Sequence, residues 1–206
     1  MSKESRYHSE QQDVIFYEPF IDEQTVRRNN GVPTAVSFSQ GIGTFLIADS
    51  SNINYGTHRD GDMGLMGDLT FDIYLKPEAY AGCAYTTKLF TNGEFTVGFW
   101  GDPDFMAFFT SDEFNFTQSA SGSVPFDEWI QVTITRTAAG VTNFYINRVL
   151  SGTADQDSGT PTLSDTDLEI VPEFFEFTGD IDRITIYRYV LSVEEIENLV
   201  SPYWNR

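Results

Sequence analysis

Apolar and polar residues alternate in short runs along most of the chain, and Gly, Asn, Asp and Pro separate the runs. In the clearest run Leu69, Phe71 and Ile73 occupy every second position, and Lys76 followed by Pro77 ends it. A period of two is typical of a strand that buries one face. The pattern therefore predicts a half-buried strand over this run.

A further pair of runs predicts a hairpin. Residues 130–136 carry apolar side chains at alternate positions, and a turn at residues 138–140 leads into residues 142–146. About ten runs of this kind, joined by short turns, are typical of an all-β fold. We therefore expect an antiparallel β-sandwich or jelly roll, folded as one domain over residues 14–206.

One short helix is predicted near the end of the chain. Ser192 suits the N-cap, Glu195 completes a capping box, and Leu191 and Ile196 occupy the positions of a hydrophobic staple. Ser201 followed by Pro202 is expected to end the helix. Its apolar positions are expected to pack on the outside of the sandwich.

Residues 1–13 show no hydrophobic period and lack the apolar run of about 7 to 15 residues that a signal peptide needs. They predict a flexible arm on a chain that is made in the cytoplasm without a signal peptide. No run approaches the ~18 apolar residues of a membrane helix, so membrane insertion is not expected. Cys83 is the single cysteine, so an internal disulfide is excluded.

The chain is strongly acidic. Lys and Arg number 12 against 31 Asp and Glu, which gives a formal net charge of −19 over 206 residues. Such a surface repels phosphate backbones and anionic lipids. Nucleic acid and anionic membranes are therefore poor partners, whereas divalent cations, neutral glycans and basic protein patches remain.

Four collinear segments share the order and spacing of one set of motifs, namely residues 41–54, 69–77, 129–147 and 177–196. They resemble laminin G-like domains of the concanavalin A-like jelly-roll family: residues 177–196 are similar to the closing motif of those domains, and the other three segments are similar to earlier strand motifs. The likeness covers roughly residues 14–200 and implies a jelly roll with a short C-terminal helix.

Two positions depart from the family pattern. Tyr74 replaces a Trp, and Arg148 stands where the family has a turn Gly, so the hairpin tip needs a different turn geometry or an extra residue. In this fold we expect Trp129, Ile184 and Ile186 to point into the core.

The resemblance also implies a structural calcium site. Asp182 would provide the carboxylate, and main-chain carbonyls near Gly41 and around Glu18 would complete the ligand set, since calcium takes 6 to 8 oxygen ligands and accepts main-chain carbonyls. The alternative is that Asp182 pairs with Arg183 or another exposed base. The sequence leaves both interpretations open.

Two other acidic segments are weaker metal candidates. Gly61 between Asp60 and Asp62 could turn both carboxylates toward one ion, with His58 nearby, although a solvated turn is the commoner outcome. The carboxylates at 155–157 and 165–167 are expected to form a solvated acidic loop.

Glycan binding requires an aromatic platform flanked by hydrogen-bonding groups. The segment that fits best lies after a predicted strand, with amides available elsewhere in the chain: Trp100, Asp102, Asp104 and Phe105, with Asn115 and Asn143. Trp100 has the opposite parity to Val97 and Phe99, so it is expected outside the core. The alternative is that Trp100 covers a neighbouring strand or forms a subunit contact.

Catalysis is not expected. Glycan hydrolysis needs two carboxylates on one face, and the acidic run 169–176 contains Pro172 and has the wrong spacing. Cys83 has no adjacent base, and the sequence contains no phosphate-binding loop. A hydrolase or lyase is thus the least favoured class.

The preferred hypothesis is a non-catalytic binding or decoration module on a larger assembly, such as a virus or phage particle. Residues 1–13 would attach it to other structural proteins, oligomers are compatible with this role, and the protein would reside in a virion or extracellular assembly. The alternative is a lectin-like carbohydrate-binding module that recognises surface glycans.

Overall fold

The computed structural model describes ten segments of the chain. They are residues 14–46, 51–57, 67–78, 86–91, 96–100, 106–110, 116–120, 122–154, 167–171 and 177–199. For some strand residues the description covers the backbone alone, namely Ile15, Thr57, Thr86, Thr87, Trp100, residues 106–110, Phe116 and Ala154.

Strands dominate the described segments, with two short helices. In chain order the elements are β1 (Val14–Glu18), α1 (Glu23–Arg28), β2 (Val32–Thr34), β3 (Ser37–Ser39), β4 (Ile42–Phe45), β5 (Asn52–Thr57), β6 (Leu69–Pro77), β7 (Thr86–Thr91), β8 (Thr96–Trp100), β9 (Met106–Thr110), β10 (Phe116–Gln118), β11 (Ile130–Arg136), β12 (Thr142–Ile146), β13 (Val149–Ala154), β14 (Asp167–Ile170), β15 (Gly179–Tyr187) and α2 (Val193–Asn198).

The strands form two antiparallel sheets. An eight-stranded sheet has the order β13-β12-β11-β6-β15-β4-β3, with β1 also paired to β15, and a seven-stranded sheet has the order β10-β9-β8-β7-β14-β5-β2. Some neighbours in the sheets are distant in sequence, as in β6 beside β15 and β7 beside β14. The predicted antiparallel sandwich is confirmed.

The core lies between the two sheets. The alternate apolar side chains of β6 and β15, among them Ile73, Ile184 and Ile186, are completely buried. Leu168 and Ile170 of β14 face them from the other sheet and belong to the same apolar cluster. The expectation that Ile184 and Ile186 point inward is confirmed.

Trp129 is not part of this core. Its ring stacks on that of Tyr74, with centroids 5.1 Å apart and planes 12° apart. Tyr74 alternates with the core residues Ile73 and Leu75, so the stacked pair lies on the outer face of the eight-stranded sheet. The expectation that Trp129 points inward is wrong, because the residue before a strand need not share the parity of its core positions.

Helix α2 begins as the sequence predicts. Ser192 accepts a hydrogen bond from the Glu195 amide, and the Glu195 side chain accepts one from the Ser192 amide, which completes the capping box. Ile196 is completely buried in a small cluster with Leu191 and Tyr145. The helix therefore covers part of the outer face of the eight-stranded sheet.

The hairpin between β12 and β13 accommodates Arg148 at the position where the family has a turn Gly. Asn147 and Arg148 both adopt positive φ, 50° and 70°, the conformation of a two-residue turn in which both central residues are left-handed. The β12–β13 register also shifts between Phe144 and Tyr145. Arg148 thus adopts the left-handed conformation that Gly favours in this turn, and the extra residue lies within β13, so the expectation of a different geometry or an extra residue at the hairpin tip is wrong.

Helix α1 is an element that the sequence analysis did not predict. Asp22 caps it by accepting a hydrogen bond from the Thr25 amide at 2.7 Å, and Arg27 pairs with Glu23 one turn earlier. Six residues give too few apolar positions to show a helical period. Within the described segments, no helix is both long and apolar enough to cross a membrane.

Candidate functional site

A row of hydrogen-bonding side chains crosses the outer face of the seven-stranded sheet. Strand register aligns Asn54 of β5 with Glu169 of β14, Glu169 with Thr91 of β7, and Thr91 with Thr96 of β8. Leu168 and Ile170 point into the core, so Asp167 and Glu169 have the outward parity. We call Asn54, Thr91, Thr96, Asp167 and Glu169 the polar row.

Asn54 fixes the two carboxylates of the polar row. Its Nδ2 donates to Asp167 Oδ2 at 2.9 Å and to Glu169 Oε1 at 3.2 Å. Its Oδ1 accepts from the Gly56 amide at 2.6 Å, which orients the side-chain amide. Asn54 is therefore a positioning residue that holds two negative charges side by side.

A bulge in β5 makes this arrangement accessible. Asp167 pairs with Thr57 and Glu169 with Asn54, so β5 has one residue more than β14 in this interval. Gly56, with φ of +74°, occupies the left-handed position that such bulges require. The extra residue brings Asn54 within reach of both carboxylates.

The other end of the polar row consists of hydroxyl groups. Thr91 and Thr96 lie 3.1 Å apart between their Oγ1 atoms. Lys88 of β7 is aligned with Gly98 of β8, two positions that alternate with core residues. Asn54, Thr91 and Glu169 are half-buried, whereas Thr96 is buried. The row thus presents hydroxyl, amide and carboxylate groups at one surface.

The outer face of the eight-stranded sheet has a different character. Asp72 of β6 is completely buried there and accepts hydrogen bonds from Gln131 Nε2 at 2.7 Å and Thr133 Oγ1 at 2.8 Å. Arg183 pairs with the same carboxylate at 3.1 Å. Because Asp72 is fully enclosed, it stabilises the sheet and is not a candidate for ligand binding.

Asp167 and Glu169 were not predicted from the sequence as a pair. Asp167 was expected in an acidic loop, and Glu169 was considered only as part of the acidic run 169–176. The missed signal is the position of Asp167 and Glu169 on either side of Leu168, which places two carboxylates at successive outward positions of a strand. Asn54 could not be found this way, because it lies on a different strand.

The predicted glycan-binding residues are only partly covered by the structure. The backbone of Trp100 pairs with Thr86 and Met106 at the end of β8, in the same sheet as the polar row. Asn143 lies in β12 of the other sheet, where its Oδ1 accepts from Thr153 at 2.9 Å. Trp100 and Asn143 therefore do not share a sheet.

The other predicted glycan and metal residues lie outside the described residues. They are Asp102, Asp104, Phe105 and Asn115 of the glycan candidates, and Asp60 and Asp62 of the second metal candidate.

The three residues of the predicted calcium site lie near one junction, the point along β15 where its pairing partner changes from β4 to β1. β4 pairs with the first half of β15, as in Gly43 with Ile181, and β1 pairs with the second half, as in Glu18 with Ile184. Between these pairs a bulge follows Ile181 in the β6–β15 register, and Asp182 there is only 7% exposed. Gly41 lies two residues before Gly43, with φ of +79°.

The Glu18 carboxylate already has three donors. It accepts from Tyr55 Oη at 2.8 Å, Asn29 Nδ2 at 3.2 Å and the Phe20 amide at 3.3 Å. Burial raises its pKa above the ordinary value of 4.5, and these hydrogen bonds oppose that rise. The Glu18 side chain thus serves the fold, and a cation at the junction would use its main-chain carbonyl.

The predicted calcium site would use one carboxylate and several main-chain oxygens. No group of three or more His, Cys, Asp and Glu side chains in the described segments is arranged to hold a metal ion. Calcium, unlike zinc, accepts a site made largely of carbonyl oxygens. Asp182 with carbonyls near Gly41 and Glu18 therefore remains a compatible set, and its occupancy stays a prediction.

Solved structures share this architecture at low sequence identity. Domain 4 of the arabinanase AbnA from Geobacillus stearothermophilus, solved with arabinotriose, has a TM-score of 0.62 at 16% identity, over 83% of this chain and 88% of that one. The binding domain of Paraclostridial Mosquitocidal Protein 1 has a TM-score of 0.69 at 16% identity, over 95% of this chain and 53% of that one.

A botulinum neurotoxin type C structure, from a toxin whose cell entry depends on interaction with two ganglioside molecules, has a TM-score of 0.66 at 13% identity, over 94% of this chain and 52% of that one. The chain therefore spans about half the length of the two toxin chains. At these identities the likeness shows the fold alone.

The family assignment comes from the sequence of the chain. No curated protein sequence matches it significantly. A family model described as the concanavalin A-like lectin/glucanases superfamily matches residues 50–197, which is more than half of the chain and runs from β5 into α2. The chain belongs to the concanavalin A-like lectin/glucanases superfamily.

Proposed function

We propose that this protein is a non-catalytic carbohydrate-binding module whose ligand lies across the polar row of the seven-stranded sheet. The observation that carries the proposal is the alignment of amide, carboxylate and hydroxyl groups in one row, with Asn54 fixing Asp167 and Glu169. Sugar hydroxyls both donate and accept, so such a row can bind several of them at once.

Two of the similar structures support this ligand class. Domain 4 of the arabinanase is bound to arabinotriose, and botulinum neurotoxin type C depends on gangliosides, which are glycolipids. Both are parts of larger proteins with other activities. A binding role within a larger protein or assembly is therefore the function to expect from a chain of this fold.

The aromatic platform predicted at Trp100 would complete the site. Its backbone lies in β8, next to the strand that contributes Thr91. A ring near the polar row would stack on the apolar face of a sugar while the row binds the hydroxyls. The Trp100→Ala variant tests this part of the proposal separately.

The test measures binding of the wild type and of Glu169→Gln to a glycan array. Calorimetry then gives the affinity of both proteins for the oligosaccharide that binds the wild type most tightly. We expect Glu169→Gln to weaken binding about tenfold, because an acceptor oxygen becomes a donor. Glu128→Gln, an exposed carboxylate before β11, is the matched control and should bind as the wild type does. Absence of binding to every glycan would refute the proposal.

The non-catalytic part has its own test. Two carboxylates held side by side resemble in composition the pair that glycosidases use. Incubation with soluble polysaccharides should release no new reducing ends. Release by the wild type that is lost in Glu169→Gln would show instead that the chain is a hydrolase.

Attachment to a virus or phage particle through residues 1–13 is proposed as the wider setting of this module. These residues lie outside the described segments and lead directly into β1, which the eight-stranded sheet holds through β15. Deletion of residues 1–13 should abolish incorporation into the particle and leave glycan binding intact. Unchanged incorporation of the shortened chain would refute attachment through residues 1–13.

A further inference from the structure

We infer that the polar row selects glycans without acidic groups and disfavours sialylated, uronate-bearing or sulfated ones. This inference rests on the proposed function and specifies the ligand class of the same site. Its basis is the placement of Asp167 and Glu169 on β14, an interior strand of the seven-stranded sheet that lies between β7 and β5.

The position of these carboxylates makes their charge hard for a ligand to avoid. Asn54 donates to both, at 2.9 and 3.2 Å, so the two side chains are held together on an interior strand of the sheet. A ligand that spans the polar row from Asn54 to Thr96 must cross β14. An acidic group on the part of the ligand that crosses β14 then lies within several ångströms of two negative charges.

Asn54 does not neutralise the pair. An amide is a dipole without net charge, so its hydrogen bonds orient the carboxylates and leave their charge in place. The hydroxyl groups of a neutral ligand can donate to the carboxylate oxygens at these positions. An acidic ligand would instead place its own acceptor oxygens against those of Asp167 and Glu169. The same two residues thus favour neutral sugars and oppose acidic ones.

The remainder of the protein adds to this preference. The net charge is −19, so the long-range potential repels anions before they reach the face. Lys88 of β7 has outward parity in the same sheet, and it brings one positive charge against the two negative charges of Asp167 and Glu169. Charge complementarity therefore favours neutral or amino sugars.

This preference contrasts with that of a ganglioside-binding relative in fold. Gangliosides carry sialic acid, an anionic sugar, so a chain that shares the fold of botulinum neurotoxin type C can still differ in the ligand charge that it accepts. The fold positions the binding face, and the outward residues of β14 set its charge.

The experiment uses an array that carries each neutral core beside its sialylated, uronate-bearing or sulfated derivative. Full-length wild type is compared with the double variant Asp167→Asn/Glu169→Gln and with the control Glu128→Gln. We expect acidic derivatives to bind the wild type at least about tenfold more weakly than their neutral cores, and this gap to shrink in high salt.

The double variant distinguishes charge selection from shape selection. It should narrow the gap between acidic and neutral members at least about fivefold, since the repulsion is removed while the shape is kept. Circular dichroism and thermal melting establish that the variant is folded. The Glu128→Gln control should show the same gap as the wild type.

The outcomes are separable. If the wild type binds acidic derivatives as well as their neutral cores, the inference is wrong and the carbohydrate-binding function stands. If the gap persists in the folded double variant, Asp167 and Glu169 do not cause the selection and the inference is also wrong. If no glycan binds to the wild type or to the double variant, the proposed function is refuted and the inference with it.

Discussion

The phenol of Tyr55 donates a 2.8 Å hydrogen bond to the buried carboxylate of Glu18 and thereby joins the two sheets. Tyr55 belongs to β5 and Glu18 to β1, and the ring of Phe16 packs edge-on against Tyr55 at 5.3 Å. Burial raises the pKa of Tyr55, and the nearby Glu18 charge raises it further. The sandwich therefore encloses one acidic group at a junction of β1, α1 and β5.

Stability should depend on pH through Glu18. Its folded pKa is raised by burial above 4.5, so the folded state binds the proton more tightly than the unfolded state does. The stabilising contribution is therefore complete below pH 4.5 and is lost as the pH rises through the folded pKa. Glu18→Gln mimics the protonated acid and should gain stability relative to the wild type as the pH rises.

Urea unfolding of the wild type and Glu18→Gln at pH 4 and pH 7 measures this effect. The difference in free energy of unfolding between the two proteins should be more favourable to the variant at pH 7. Glu128→Gln, with an exposed carboxylate, should show no comparable change. An equal difference at both pH values would mean that Glu18 is not desolvated as the structure shows.

Gly179 is a position where any side chain should destabilise the fold. Its φ is +151°, and a Cβ added there would lie 2.3 Å from the Lys76 carbonyl oxygen. Gly41 is the matched control, because its φ is +79° and an added Cβ meets no atom within 4 Å. Gly179→Ala should cost more than about 3 kcal/mol, and Gly41→Ala about 1 kcal/mol.

Chemical denaturation of the two alanine variants gives both costs. Equal costs would show that backbone conformation alone accounts for the requirement at Gly179. A larger cost at Gly179 locates the requirement in the close approach of β15 to β6.

The period of two predicted the strands because it is a local property of each segment. The capping box at Ser192 predicted α2 for the same reason. Asp72 shows the limit of this reasoning, since its parity is outward and yet it is completely buried beneath Gln131, Thr133 and Arg183. Whether an outward side chain is buried depends on the side chains that pack over it. The alternation along one strand carries no information about those neighbours.

The polar row could not be predicted from the sequence, for a related reason. Asn54, Thr91 and Glu169 come from three separate parts of the chain, and only strand order makes them neighbours. Strand order is set by long-range packing and is not encoded in the period of any one strand. The alternating carboxylates at 165–169 were visible, but their partner was not.

Arg148 should contribute to stability despite its strained backbone. Its φ is +70°, while its guanidinium donates to the main-chain oxygens of Glu197, at 3.1 Å, and of Leu199, at the end of α2. Arg148→Ala loses these bonds and keeps the strain, so it should cost about 2 kcal/mol. Arg148→Gly loses the bonds and relieves the strain, so it should cost about 1 kcal/mol less than Arg148→Ala.

Urea unfolding of the two Arg148 variants separates the effects of contact and conformation. Hydrogen exchange of the α2 amides should accelerate in both variants, because the helix end loses the same partner. An alanine variant as stable as the wild type would show that the bonds to α2 contribute nothing net.

Calcium should stabilise the protein through Asp182. If calcium is present at a hundredfold its dissociation constant, binding adds about 2.7 kcal/mol, which for a chain of this length raises the Tm by about 5 to 10 °C. Chelator should reverse the rise, and magnesium should not reproduce it, because a rigid octahedral ion does not suit a site of main-chain carbonyls. Asp182→Asn should melt at the same temperature with calcium as with chelator. If neither calcium nor chelator changes the Tm of the wild type, the predicted site does not exist. If calcium raises the Tm of Asp182→Asn as much as that of the wild type, the ion binds elsewhere.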